Sequence, residues 1–243
     1  MATTCDLFLD SRITVTQPAE GFRAGIDAVL LAAALRAKPG QSLLELGCGA
    51  GTAMLCAAAR LTECQFTGLD IDPAMVGLAQ RNIAANGFGD RMRATIGDVA
   101  DPVHPDVYDR VFFNPPFFDD PAALRAPKPA KQTAYIASTA TLPDWTGFAR
   151  RVLKPKGRVA IIHRADALGD LLAALAKGWG DIAIKPVQPR IDAPAKRVLV
   201  TARKGAKGPL TLLSPLVMHD DKGGKYSVLA DAILRGRATI EMG

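Results

Sequence analysis

The amino-acid sequence predicts an α/β fold built on a doubly wound, mostly parallel sheet. Two observations predict it. Short runs rich in Val, Ile, Leu and Phe alternate with helical segments along most of the 243 residues, and a glycine-rich turn, ELGCGAG at residues 45–51, joins one such run to the helix behind it. Alternating β and α units imply parallel strands joined by right-handed crossovers, and glycines at a strand-to-helix junction let the backbone turn sharply.

The elements follow in order. Within residues 1–41, the stretch AVLLAAALRA at 28–37 is interrupted by Arg36 and is far shorter than the roughly 20 residues of a membrane span, so it reads as a buried helix. SLLELG (42–47), QFTGLD (65–70), RMRATIGD (91–98), YDRVFF (108–113) and RVAIIHR (158–164) read as strands. Between them TAMLCAAARL, PAMVGLAQRNIAANG and DWTGFARRVLKPKG read as helices: Pro73 opens the second, and Gly87 and Gly157 close the second and third. A further helix, ADALGDLLAALAKG, precedes two strands, GDIAIKPVQ and AKRVLVTARKG, which are expected to pair as an antiparallel edge. The last 35 residues, from Pro209, read as a loose extension, and residues 119–141 as a long functional loop.

Composition excludes several classes. Hydrophobic residues make up 49% and charged residues 22%, which suits a folded globular chain and not a disordered one. The start, MATTCDLFLDSR, has neither a basic nor an apolar segment of the secretory kind, so a cytoplasmic protein is expected. Cys5, Cys48, Cys56 and Cys64 match no zinc spacing and the three histidines are far apart in sequence, so no metal is expected. Residues 1–120 hold 9 Lys and Arg against 15 Asp and Glu, a balance of −6; residues 121–243 hold 21 against 9, a balance of +12. The second half suits a polyanionic partner or forms a solvated basic face.

Three motifs carry chemistry. Gly47, Gly49 and Gly51 let the backbone approach a ligand without a Cβ in the way. Asp70, nineteen residues after Gly51, ends the next strand, where a carboxylate can take the two hydroxyls of a ribose. Together they indicate an adenosine-containing cofactor, and the spacing G-x-G-x-G argues against a dinucleotide. Asp98 ends the third strand; it either accepts from an adenine amino group or caps the following turn. Finally, FFNPPFF at 112–118 stops a strand with two prolines behind an asparagine.

In combination, ELGCGAG, LDIDPAMVGLAQRNIAANG, GDV and DRVFFNPPF resemble the class I S-adenosylmethionine-dependent methyltransferases, and NPPF resembles the branch that methylates planar amino groups. The resemblance implies a Rossmann-like sheet of seven strands with an antiparallel edge strand. It implies that Glu45, Gly47, Cys48, Gly49 and Gly51 hold the methionine part of S-adenosylmethionine, Asp70 and Ile71 the ribose, Asp98 and Val99 the adenine, with Asn114 at the methyl group. Asn114, Pro115, Pro116 and Phe117 are then the catalytic set. An exocyclic amine conjugated to a ring is a poor nucleophile; the Asn114 oxygen and the Pro115 carbonyl would take its two hydrogens and free its lone pair. Phe117 would stack on the target ring and Phe118 line the pocket.

The stretch QPAEGFRAGIDAVLLAAAL, with Gly21, Phe22, Arg23, Asp27, Leu30, Leu31 and Ala32, resembles the start of the bacterial tRNA(Val) adenine N(6)-methyltransferase family, and KPVQPR, RVLVTARKG and YSVLADAILRG extend that likeness. It implies an enzyme acting on tRNA, with Arg23 and Asp27 at the cofactor pocket; as alternatives, Arg23 is a surface cation and Asp27 a helix cap. Arg125, Lys128 and Lys131 would meet phosphates, with Tyr135 as a stacking residue. The expected organisation is a segment 1–41 leading to the cofactor and substrate, a catalytic domain 42–205, and an extension 206–243 packed on it. Methylation of ribosomal adenine or guanine, methylation of a protein glutamine amide, and an RNA-binding module without catalysis are the competing readings. A nicotinamide-dependent dehydrogenase would need a proton relay that the sequence does not offer.

Overall fold

A computed structural model describes residues 2–21, 23–101, 107–116, 140–220 and 224–243. Its first element is one the alternation did not indicate. Strands β1 (Thr3–Phe8) and β2 (Ile13–Pro18) pair antiparallel, Thr3 opposite Pro18 and Phe8 opposite Ile13, as a separate two-stranded ribbon. Ile13, Val15 and Gln17 of β2 are buried, the period of two expected of a strand with one face covered.

The main sheet begins with β3 (Ser42–Leu46), β4 (Gln65–Asp70), β5 (Met92–Ile96), β6 (Tyr108–Phe113) and β7 (Leu153–Arg164). These five run parallel in the spatial order β5-β4-β3-β6-β7. Winding outward from β3 in one direction and from β6 in the other puts the point where strand order reverses between those two strands, where open α/β sheets bind ligands at their carboxyl ends. Strand β9 (Arg197–Lys204) lies antiparallel between β7 and β8 (Trp179–Gln188). Thus β3 to β9 are the seven expected strands, and the short β10 (Thr211–Leu212) and β11 (Leu216–Val217) join β8 in parallel to make nine.

Helices α1 (Ile26–Ala34) and α2 (Thr52–Ala58) are apolar nearly all round and are buried accordingly, Ala28 to Ala34 in the first and every residue of the second. Helix α3 (Pro73–Ala85) starts at Asp72, whose side chain accepts from the Ala74 amide at 2.8 Å, with Pro73 at the first helical position. These three pack on one face of the sheet. On the other face α4 (Leu142–Val152) and α5 (Leu168–Ala174) enclose a second core around Phe113, Trp145, Phe148, Leu171 and Trp179.

Two expectations are corrected here. Gly157 does not stop α4: that helix ends at Val152 and β7 starts at Leu153. Tyr108 opposes Leu153 while Arg110 opposes Arg158, so Lys154 to Gly157 bulge out of register. A Cβ on Gly157 would stand 2.9 Å from the Lys154 carbonyl oxygen and 3.2 Å from that of Asp109, so glycine is needed for close backbone approach inside the bulge. Nor is the tail loose. Besides β10 and β11 it contributes α6 (Val228–Leu234), whose Ala230 and Ile233 join the core of α1, and the Ile240 amide donates to the Ala33 carbonyl at 2.9 Å.

Candidate active site

The register of the parallel strands aligns the candidate residues. Leu46 pairs with Leu69 on one side and with Phe113 on the other, and Asp70 pairs with Ile96. Gly47, Asp70 and Asn114 therefore leave the carboxyl edge at one level, with Gly97 and Asp98 one strand further out. At about 4.8 Å between strands, the row from Asn114 to Asp98 spans roughly 15 Å.

Short-range chemistry shapes the glycine turn. Gly47, Gly49 and Gly51 all have positive φ, at 62°, 53° and 84°. Gly49 has open space where a Cβ would project. At Gly47 the reason for glycine is a protein neighbour: a Cβ would meet the Trp145 ring at 2.7 Å. Trp145 also packs on Phe113 with ring centroids 5.5 Å apart, so the tryptophan wedges between the glycine turn and the strand carrying Asn114. Cys48 is buried over Gly68, whose Cβ would stand 2.7 Å from its sulfur. Burial, with Glu45 and Asp70 nearby, pushes the Cys48 thiol up, so it stays protonated.

Two carboxylates brace this turn. The Gly49 amide donates to Asp70 Oδ2 at 2.7 Å and the Asp72 amide to Oδ1 at 3.0 Å. Each carboxylate oxygen keeps acceptor capacity for a ligand hydroxyl. Burial raises the Asp70 pKa above 3.8, opposed by those two hydrogen bonds. Glu45 is 5% exposed and accepts from the Met54 amide at 2.9 Å in the first turn of α2; burial, with the Asp70 charge, raises its pKa well above 4.5. Ile71 is half-buried beside Asp70, and Val99 lies in the second core. Asp98 accepts from the Ala100 amide at 3.0 Å, the turn-capping arrangement.

Asn114 and Pro116 are half-buried and Pro115 is buried directly behind β6. Among the described residues Asn114 Oδ1 is buried and meets no hydrogen-bond donor, and Trp145 Nε1 is likewise buried without a partner. A buried acceptor without a donor is costly and calls for a ligand group to satisfy it. Phe22, Phe117, Phe118, Arg125, Lys128, Lys131 and Tyr135 lie outside the described residues.

Arg23 and Asp27 are engaged elsewhere. Arg23 donates to both carboxylate oxygens of Asp6 on β1, and Asp27 accepts from Arg197 Nε at 2.8 Å. Asp27 does not cap α1; Gly25 stands at the cap position, with no side-chain cap bond. Sequence reasoning missed the residues that hold these pieces together. Gln17 accepts from the Ala24 amide and donates to the Ala24 carbonyl and to Asp6. Asn82 accepts from the Thr16 amide and donates to the carbonyls of Thr16 and Ala50; one turn later Asn86 accepts from the Thr14 amide and donates to its carbonyl. Two asparagines four apart on α3 thus serve as an edge strand for β2, and Asn82 ties it to the glycine turn. The signal was the NIAAN spacing, which puts both amides on one helix face.

These residues fit an adenosyl ligand carrying a positive charge: an open glycine turn, a bracing carboxylate with spare acceptor sites, and an orphaned acceptor in one row. Among the described residues no group of three or more His, Cys, Asp or Glu side chains could hold a metal ion, and no helix is long and apolar enough to cross a membrane.

Residues 23–134 match the model of the methyltransferase small domain family. A tRNA1(Val) (adenine(37)-N6)-methyltransferase of Porphyromonas gingivalis is 33% identical over 175 residues, 68% of either chain. The protein of the same name from Parabacteroides distasonis is 30% identical over 198 residues, 79% of this chain and 81% of its own. Among solved structures, a predicted O-methyltransferase from Agrobacterium tumefaciens has a TM-score of 0.74 and 26% identity, covering 88% of this chain and 98% of the other.

Proposed function

The chain belongs to the methyltransferase small domain family of S-adenosylmethionine-dependent class I methyltransferases, and on that premise we propose that it methylates the exocyclic amine of an adenine in tRNA. The single observation that carries the amine is the buried, unpartnered Oδ1 of Asn114 at the end of β6. An exocyclic amine has two hydrogens to give, and Asn114 Oδ1 with the Pro115 carbonyl offers two acceptors; a hydroxyl would satisfy only one of them.

Bound S-adenosylmethionine supplies a methyl group on a sulfonium sulfur. The chain's part is to place and prepare the nitrogen. Pro115 and Pro116 fix the backbone so that the two acceptors stand still, and drawing both hydrogens out of the ring plane frees the lone pair for attack. That lone pair would take the methyl from the cofactor, whose sulfur leaves as a neutral thioether, and the methylated nitrogen would pass its extra proton to water. No strong base is needed before attack. Gly47 to Gly51 and Asp70 serve as the cofactor cradle, with Asp98 and Val99 at its adenine end. Arg23 and Asp27 support that pocket from outside, through Asp6 and Arg197.

The names of the bacterial relatives support adenine in tRNA, and position 37 of the valine tRNA is the one those names print. The test is transfer of labelled methyl to bulk tRNA, followed by nucleoside analysis. Label recovered as N6-methyladenosine is the expected result; label found only in protein, or only in ribosomal RNA, would overturn the assignment to tRNA.

A further inference from the structure

Beside the reactive row, the same sheet edge carries a cationic cleft that the reaction does not use. It measures about 610 Å³ and is lined by Arg164, Asp166, Lys196 and Arg197, with Ala165 and Pro194 in its wall. Arg164 ends β7 and Arg197 begins β9, and the two are direct partners in the antiparallel ladder. Like charges directly opposite across a ladder weaken it. Here the pair is kept, and among the described residues Asp166 pairs with Arg164 and Asp27, which lies outside the cleft lining, pairs with Arg197. Lys196 is exposed and, among the described residues, makes no ion pair; its backbone is held on both sides, its amide donating to the Val187 carbonyl at 3.0 Å and its carbonyl accepting from the Ala165 amide at 3.2 Å. Three cations therefore stand on a rigid platform, and among the described residues of the lining Asp166 is the one carboxylate.

The place of the cleft decides what it takes. Candidate cofactor residues occupy the ends of β3, β4 and β5; Asn114 ends β6; the cleft opens on the other side of Asn114, at β7 and β9. Phe113 pairs with Ile161, so Arg164 lies two residues beyond the level of Asn114 on the neighbouring strand, roughly 8 Å away at standard strand dimensions. An anion bound there is attached to whatever presents the amine. It also lies in the half of the chain whose charge balance is +12, from 21 Lys and Arg against 9 Asp and Glu.

We propose that this cleft seats backbone phosphates of the substrate RNA next to the target base, with Arg164, Lys196 and Arg197 as the phosphate contacts. The inference rests on the reading of the substrate as RNA. Phosphate contacts of this kind set register without reading sequence, which suits an enzyme that must hold a loop while one base enters the pocket.

The experiment uses the full chain and unmodified tRNA, comparing wild type with Lys196→Glu, and with Arg164→Gln as a second variant. Binding is followed by fluorescence anisotropy over a series of salt concentrations, and cofactor binding by calorimetry with S-adenosylhomocysteine. Lys196→Glu is expected to weaken tRNA binding by about tenfold or more and to lower the slope of log affinity against log salt by about one. Cofactor affinity and thermal midpoint stay as in wild type. Unchanged tRNA affinity and slope in both variants, with wild type still methylating tRNA, would overturn the cleft and leave the proposed function standing. A wild type that binds tRNA through the cleft but labels only protein would overturn the function and the seating of substrate with it, leaving the cleft an RNA-binding surface. A wild type that binds no RNA would overturn both.

Discussion

The Gly49 amide donates a 2.7 Å hydrogen bond to Oδ2 of Asp70, so the glycine turn after β3 and the acid at the end of β4 form one unit. That contact makes Asp70 a brace for the turn as well as the proposed ribose ligand. Replacing it by alanine removes acceptors for the amides of Gly49 and Asp72 together. Hydrogen bonds to a charged group contribute about 1.5–3 kcal/mol, so Asp70→Ala is expected to raise the cofactor Kd by roughly 10- to 100-fold. Calorimetry with S-adenosylhomocysteine reads this directly.

Asn114 is expected to behave in the opposite way. Its oxygen has no partner to lose among the described residues. Asn114→Ala should lower kcat by about 10²- to 10³-fold, the usual effect of deleting one preorganised polar group at a reacting centre, with cofactor Kd within about twofold of wild type. Equal loss of cofactor binding in Asn114→Ala and Asp70→Ala would contradict this division of labour.

Asn82 connects β2 to the glycine turn from inside the protein. Asn82→Ala strands the amide and carbonyl of Thr16 and the carbonyl of Ala50, in a position only 2% exposed. Leaving buried polar groups unpaired should cost about 3 kcal/mol in urea unfolding. Asn86→Ala, at a half-buried position, should cost about 1 kcal/mol. A surface-like effect at Asn82 would show that the amide ladder is not what holds β2.

Glu45 makes stability depend on pH. Its folded pKa is raised well above 4.5 by burial, so the folded state favours the protonated form. The stabilisation from that proton is fully present below the ordinary carboxylate value and is lost as pH rises through the raised folded value. Glu45→Gln keeps an acceptor for the Met54 amide and carries no charge. The melting temperature of the variant minus that of wild type should therefore grow as pH rises above the ordinary carboxylate range. A constant difference there would refute the assignment.

Much of this protein is legible in the chain because its signals are local. ELGCGAG, Asp70 and the Asn114-Pro115-Pro116 stop each depend on turn chemistry within a few residues, and the sheet then aligns them because parallel strands of similar length share one carboxyl edge. Pro73 opens α3 as the spacing indicated, and the structure adds Asp72 as its cap. The misreadings were of another kind. Gly157 looked like a helix stop because a glycine after a basic stretch usually is one, and only the register shift against β6 reveals a bulge.

By itself the sequence determined the alternating α/β architecture, the glycine turn behind β3 and the proline-stopped end of β6, since backbone freedom at glycine and proline is written residue by residue. Tertiary structure alone decided what each piece leans on. Trp145 rests against Gly47, Asn82 replaces a neighbouring strand for β2, Asp27 holds Arg197, and Arg164 comes to lie opposite Arg197. These contacts join residues far apart along the chain, and they exist because packing and polar satisfaction are properties of the closed fold rather than of any local stretch.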